Sequence, residues 1–195
     1  MQAVLQERAR ARVGYGVTED EARGLALGRE SAAAGSCFGQ FVVGLCYSLS
    51  SCVAQDYAEA VRLYSLAAAQ GHAAAQNNLG GMFEDGEGVA QDYAEAMRLY
   101  RLAAAQGLAE AQTMLGFMFD DGEGVAQDYA EAVRFFRLAA VQRDAVAQFM
   151  LGHMFEYSKG VAQDRAEAIR WYRLAATQGD VNAIAALKRL GIARG

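Results

Sequence analysis

Proline is absent from this chain of 195 residues, so nothing in it stiffens a linker or removes a helix hydrogen bond. Cysteine is scarce. Cys37, Cys46 and Cys52 lie close together, their number is odd, and the rest of the chain has none. That excludes a regular disulfide framework, and the spacings of nine and six residues are not those of a zinc site. Small buried thiols in a reducing, cytoplasmic-type compartment are the expectation. Histidine is scarcer still: His72 and His153 are the only two. A basic excess is missing too. The net charge of −5 argues against a nucleic-acid binder. No apolar run approaches the roughly 20 residues that span a bilayer, so no membrane insertion is expected. The segment from Met1 to Arg12 is broken by Glu7, Arg8 and Arg10, so it lacks the apolar stretch of a secretory signal.

What the chain has is a period. The string Ala-Gln-Asp begins at Ala54, Ala90, Ala126 and Ala162, 36 residues apart each time. By direct count the units starting at Ala54 and Ala90 agree at 28 of 36 positions. Such self-similarity marks a repeat architecture. The period runs backwards as well. Asp20, Gly35, Gln40 and Gly44 fall opposite Asp56, Gly71, Gln76 and Gly80. The chain therefore divides into a half-repeat or capping helix (1–17), a degenerate copy (18–53), three full copies (54–89, 90–125, 126–161) and a last copy without its final loop (162–195).

Each unit reads as two helices. Asp56 with Glu59 three residues later forms a reciprocal cap, repeated at Asp92, Asp128 and Asp164. Tyr57, Ala60, Val61, Tyr64, Ala67 and Ala68 then share one face at helical spacing. Gly71 ends this first helix in the left-handed conformation that glycine favours. The second helix carries Ala75, Leu79, Gly80 and Phe83 on one face. Gly80, Gly116 and Gly152 cost about 1 kcal/mol each against alanine. Repetition of that cost predicts a point where two helices cross too closely for a Cβ. Arg143 and Ser158 replace turn glycines, which predicts less regular turns in that copy. The sum is an all-α fold, a right-handed α-solenoid of 36-residue helix-turn-helix repeats.

These residues resemble the Sel1-like repeat family, a relative of the tetratricopeptide repeat. The signature is Asp-Tyr-x-x-Ala-x-x-x-Tyr-x-x-Ala-Ala-x-Gln-Gly, then Ala-x-Ala-Gln-x-x-Leu-Gly-x-Met-Phe, then Gly-x-Gly-Val. It is met almost fully from Asp56 to Val89 and from Asp92 to Val125, well from Asp128 to Val161, and without its last loop from Asp164 to Leu190. The resemblance implies a non-catalytic scaffold or adaptor with a protein or peptide partner, a monomer needing no cofactor or metal. Two alternatives stay open. One is a β-lactam-binding hydrolase of the cysteine-rich branch, whose members carry a cysteine pair in every repeat, as this chain does not. The other is a regulatory module of a longer signalling protein.

Chemistry-bearing clusters read as structure. The histidines fall at different phases of the repeat. The junction loops around Glu84-Asp85-Gly86-Glu87 and Asp120-Asp121-Gly122-Glu123 gather carboxylates, as calcium would want, but they do not form an EF-hand loop and read as solvated turns. The Gly-x-Gly elements follow no strand, so they are not dinucleotide loops.

The candidate binding surface is on the first helices, which line the groove in tetratricopeptide relatives. Glu59 and Arg62 point away from the core face, and recur as Glu95, Arg98, Arg101; Glu131, Arg134, Arg137; and Glu167, Arg170, Arg173. Ser65 stands at the third position in the first full copy. Four Glu against seven Arg leave the stripe positive on an acidic protein, which suits an acidic partner segment. The competing reading is a solvated ridge of charge pairs. A second stripe varies between copies: Leu63, Leu99, Phe135 and Trp171; Asn77, Thr113 and Phe149; Asn78, Met114 and Met150; Gly81, Phe117 and His153. It reads either as filling between repeats or as an exposed anchor patch, with Phe135 and Trp171 as candidate contacts.

Overall fold

The Ala-Gln-Asp string sits at each joint between repeats, and its two polar residues serve a different helix each. We describe residues 19–50 and 53–192 from a computed structural model, with side chains from residue 23 onward. Ten helices, and no strand, occur among these residues: α1 (Glu19–Ala33), α2 (Cys37–Leu49), α3 (Tyr57–Ala69), α4 (Ala73–Asp85), α5 (Tyr93–Ala105), α6 (Ala109–Asp121), α7 (Tyr129–Val141), α8 (Ala145–Tyr157), α9 (Arg165–Thr177) and α10 (Val181–Arg189). The segment 1–17 and Cys52 lie outside the described residues. The chain divides into two units, Met1–Leu99 and Tyr100–Gly195. In the first, α1, α2, α3 and α4 each pack on the next; in the second, α6 to α10 do the same. Helices that touch mainly their chain neighbours make the repeated hairpin architecture of an α-solenoid.

At the joint, the Gln side chain amide donates to a carbonyl at the end of the preceding second helix: Gln55 to Ser48 at 2.9 Å, Gln91 to Glu84 at 2.7 Å, Gln127 to Asp120 at 2.6 Å and Gln163 to Glu156 at 2.8 Å. The Asp carboxylate accepts from the first amides of the next helix, as from Glu59 at 3.0 Å and Glu131 at 3.1 Å. One dipeptide thus satisfies orphan groups at two helix ends. The expected reciprocal cap is only half formed. The backbone N–H of Asp56, Asp92, Asp128 and Asp164 donates instead to the carbonyl of Tyr47, Phe83, Phe119 and Phe155. The Glu that would have accepted it is occupied by an arginine. In the degenerate copy α1 begins at Glu19, so Asp20 lies inside the helix rather than before it.

The core follows the expected face. Ala60, Tyr64, Ala67 and Ala68 are buried with Ala75, Leu79 and Met82, and Tyr57, Val61 and Phe83 pack at its margin. The second-helix glycines have a different cause from a helix crossing. A Cβ on Gly116 would lie 2.5 Å from the Phe136 ring, and one on Gly152 would lie 2.5 Å from the Tyr172 ring. At Gly44 the ring is that of Tyr64, 2.9 Å away. Each glycine is a flat seat for the aromatic residue of the following first helix.

A second set of glutamines stitches successive hairpins. Gln40, Gln112 and Gln148 are buried. Their side chain carbonyls accept from Gln70, Gln142 and Gln178, at 2.8, 2.9 and 2.8 Å, at the end of the next first helix. Gln148 also donates to the Ala140 carbonyl at 3.1 Å within its own hairpin.

The turns holding Arg143 and Ser158 are as regular as the others, contrary to expectation. Asp144 N–H reaches the Ala139 carbonyl at 3.2 Å, just as His72 N–H reaches that of Ala67 at 3.1 Å. The irregularity is stored in the residues, which adopt φ of 69° and 57° where other copies place Gly71 and Gly86. Arg143→Gly and Ser158→Gly are therefore each expected to add about 1 kcal/mol to the unfolding free energy in urea titrations.

Candidate functional site

Burying one face of each first helix leaves a fixed outer arc. In α7 it carries Ala130, Glu131, Arg134, Arg137 and Leu138. Glu131 and Arg134 form an ion pair at 2.8 Å. The same i,i+3 pair joins Glu59 to Arg62 and Glu95 to Arg98, both at 2.7 Å, and Glu167 to Arg170 at 3.1 Å. Hydrogen bonds from Arg62 and Arg98 hold the Glu59 and Glu95 carboxyls below the usual carboxylate range. The arginine side chains remain more than half exposed (54–61%), so each pair contributes only about a few tenths of a kcal/mol. The structure therefore splits the predicted stripe in two. Arg62, Arg98, Arg134 and Arg170 are neutralised within their own helix. Arg101, Arg137 and Arg173 are exposed and have no carboxylate partner among the described residues; Arg137 lies 5.8 Å over the Phe155 ring. Ser65, at the same position, turns its hydroxyl onto the Val61 carbonyl.

Sequence reasoning missed the arc's apolar members. Leu66, Leu102, Leu138 and Leu174 are exposed by 43, 42, 41 and 40%. In a helix rich in Ala and Leu they pass for core residues. The signal was angular: residues advance about 100° per step, so position 66 lies beside 59 and 62, on the far side from Tyr64.

The variable stripe lies largely inside the packing. Leu63, Leu99 and Phe135 are buried, Phe135 by stacking on Phe119 at 5.7 Å with the Arg134 guanidinium 4.1 Å over it. Trp171 is half-buried under Arg170, with its indole N–H enclosed and unpaired. Thr113 donates to Asp144 at 3.2 Å. Phe149 and Phe117 contact the Tyr172 and Phe136 rings. Met150 is buried; Asn77, Asn78, Gly81 and Met114 are half-buried.

Two neighbouring groups of titratable side chains in the second unit draw on α6, the loop after α8, and α8, α9 and α10. Glu156 accepts from the Tyr172 hydroxyl and pairs with Arg189, each at 2.7 Å. At the equivalent place one repeat earlier, the ring is Phe136 and has no hydroxyl. There Asp120 is buried and pairs with Lys159 at 3.4 Å, which corrects the reading of its loop as wholly solvated. His153 stands between these pairs, half-buried, with Nδ1 unpartnered. Among the described residues no group of three or more His, Cys, Asp or Glu could hold a metal ion. Cys37 is half-buried and Cys46 buried, both as thiols. No helix there is long and apolar enough to cross a membrane.

Burial pushes both histidines below their ordinary pKa, and Lys159 adds to the effect at His153. His72 also needs its neutral form, because its Nδ1 accepts from the Ala75 N–H at 3.2 Å to cap α4. A folded pKa below the unfolded value means that the unfolded chain takes up protons first. The stabilisation is complete above about pH 6.5 and is lost as pH falls through the lower folded values. Resistance to urea is thus expected to fall from about pH 6.5 downwards, before the carboxylates titrate. His72→Asn, which keeps the cap, is expected to flatten that slope.

The Sel1 repeat family matches at residues 10–36, 38–72, 73–108, 109–142 and 145–180. After the first, each match starts at or near a second helix, cutting the period at another phase. Among solved structures, a Sel1 repeat protein from Oxalobacter formigenes is 29% identical, with a TM-score of 0.84 over 100% of this chain and 80% of its own. A protective antigen of uropathogenic Escherichia coli strains, displaying an SLR fold, is 30% identical, with a TM-score of 0.79 over 98% of this chain. This chain spans only 42% of that antigen. A sel1 repeat protein from Klebsiella pneumoniae subsp. pneumoniae, 20% identical with a TM-score of 0.59, covers 98% of this chain and 96% of its own, and shares the fold. Among curated proteins none matches.

Proposed function

Because the chain belongs to the Sel1 repeat family, we propose that it is a non-catalytic scaffold that holds an acidic segment of a partner protein on the outer arc of its first helices. The observation that carries this reading is the sorting of charge. Intrahelical pairing neutralises four arginines of the arc and leaves Arg101, Arg137 and Arg173 at equivalent positions of three successive first helices, on a chain of net charge −5. Exposed guanidinium groups without a carboxylate attract carboxylates from elsewhere and set the orientation of docking. The reading includes a monomer acting in a reducing, cytoplasmic-type compartment, which suits the thiols of Cys37 and Cys46.

The test is capture from a cell extract, read by mass spectrometry. The triple variant Arg101→Glu, Arg137→Glu, Arg173→Glu is expected to lose the proteins that the unaltered chain retains, with its thermal unfolding little changed. Reversal of Arg23 and Arg165, exposed but not on this row, is expected to retain them. Identical capture by the triple variant and the unaltered chain would refute the reading.

A further inference from the structure

One copy departs from the others at the end of its first helix. The residue that closes α7 is Val141, where α3, α5 and α9 have Ala69, Ala105 and Thr177. Two residues on, Arg143 stands where the other turns have Gly35, Gly71, Gly107 and Gly179. Both departures work against the fold. Valine is a poorer helix former than alanine, and Val141 is 72% exposed, so burial returns little. Arg143 holds a φ of 69°, a conformation that disfavours a residue with a Cβ. Ser50 and Ser158 share that conformation, but their hydroxyls bond to the Val53 and Val161 carbonyls. Arg143 is exposed and has no hydrogen-bond or ion-pair partner among the described residues. A Cβ on Gly71, Gly107 or Gly179 would meet nothing within 4 Å, so a side chain at this place leaves the hairpin into open space. Strain held at such a residue points to what its side chain presents.

Helical geometry joins Val141 to the arc. It lies three residues after Leu138 and four after Arg137, one turn further on and between them in angle. Leu138 is 41% exposed, and Arg137 has no carboxylate partner among the described residues. The nearby carboxylates are engaged: Glu131 by Arg134, and Asp144 by the Ala147 N–H at 2.7 Å and the Thr113 hydroxyl at 3.2 Å. The end of α7 thus gathers two unpaired guanidinium groups and two adjoining aliphatic side chains. On α5 and α9 there is one of each, Arg101 with Leu102 and Arg173 with Leu174. Resting on the scaffold reading above, we propose that the end of α7 is the anchor of the arc. It takes a short acidic segment of the partner that carries one bulky aliphatic or aromatic side chain among its carboxylates. The apolar side chain covers Leu138 and Val141, and the carboxylates meet Arg137 and Arg143. A wholly polar acidic segment, or a nucleic acid, leaves the two aliphatic groups uncovered.

The test selects a displayed library of random twelve-residue peptides on the intact chain. Enriched peptides are expected to share an aliphatic or aromatic residue with at least two Asp or Glu within three positions of it. Their affinities are then read by fluorescence anisotropy. Val141→Ala with Arg143→Gly restores the residues found at the end of α5. This double variant is expected to melt no lower than the unaltered chain, yet to bind the peptides about tenfold more weakly. A merely structural role for the two residues would lower the melt instead. Arg101→Gln with Arg173→Gln is expected to weaken the same peptides less than about threefold. Enriched peptides without the pattern, undiminished binding by the double variant, an equal loss from the Arg101 and Arg173 changes, or an oligonucleotide that outcompetes the peptides overturns the inference. If it falls while extract capture still depends on Arg101, Arg137 and Arg173, the scaffold reading stands. If capture is indifferent to those arginines, the scaffold reading itself falls.

Discussion

Gly152→Ala is expected to lower the unfolding free energy by about 2–3 kcal/mol, although alanine is the better helix former by about 1 kcal/mol. The added Cβ would meet Cδ1 and Cε1 of Tyr172 at 2.5 Å. Tyr172 is 1% exposed and its hydroxyl is anchored on Glu156, so the ring cannot swing aside without breaking that bond. A double-mutant cycle checks the cause. In a Tyr172→Leu background, itself destabilised, the glycine substitution is expected to become nearly neutral or favourable. An undiminished penalty in that background would show that the glycine serves something other than the ring. Gly116 against Phe136 provides an internal repeat of the measurement.

Gln148→Leu is the second substitution expected to cost much, about 2–3 kcal/mol, although leucine has nearly the same volume and is the natural choice for a buried position. Gln148 is 3% exposed. Its amide donates to the Ala140 carbonyl and its oxygen accepts from Gln178, so it ties its own hairpin to the next. The leucine variant leaves the Gln178 amide facing an apolar group. Hydrogen exchange distinguishes this from a uniform loss of stability: protection is expected to fall most in α9 and α10, beyond the severed stitch. The exposed Gln178→Leu change severs the same bond from the other side and is expected to cost less.

Much of this was legible in the sequence, because the chain can be compared with itself. The period, the two helices per unit, the Asp caps and the core tyrosines follow from spacing alone. What stayed hidden were the partners of the recurring residues. Repetition marked Gly152 as costly but could not show that a ring rather than a helix occupies the space. It marked Gln76, Gln112 and Gln148 as recurrent without revealing that they are buried. Glu59 stood in a capping pattern, and only the structure shows Arg62 taking its carboxylate and the Tyr47 carbonyl taking the Asp56 N–H. In the candidate site, charge counting found an excess of three. Pairing geometry was needed to assign it to Arg101, Arg137 and Arg173 rather than to the arginines one turn earlier. The exposed leucines escaped because their residue type matched the core.

The joints have a consequence for how such a chain changes length. At the Ala-Gln-Asp boundary the Gln side chain amide, the Asp N–H and the Asp carboxylate bond to residues of the two repeats they join, as Gln127 and Asp128 do for α6 and α7. Nothing at the boundary depends on how many units precede or follow. Duplicating or deleting one whole unit in frame recreates a joint already present elsewhere, so the array can grow or shrink without new contacts having to arise.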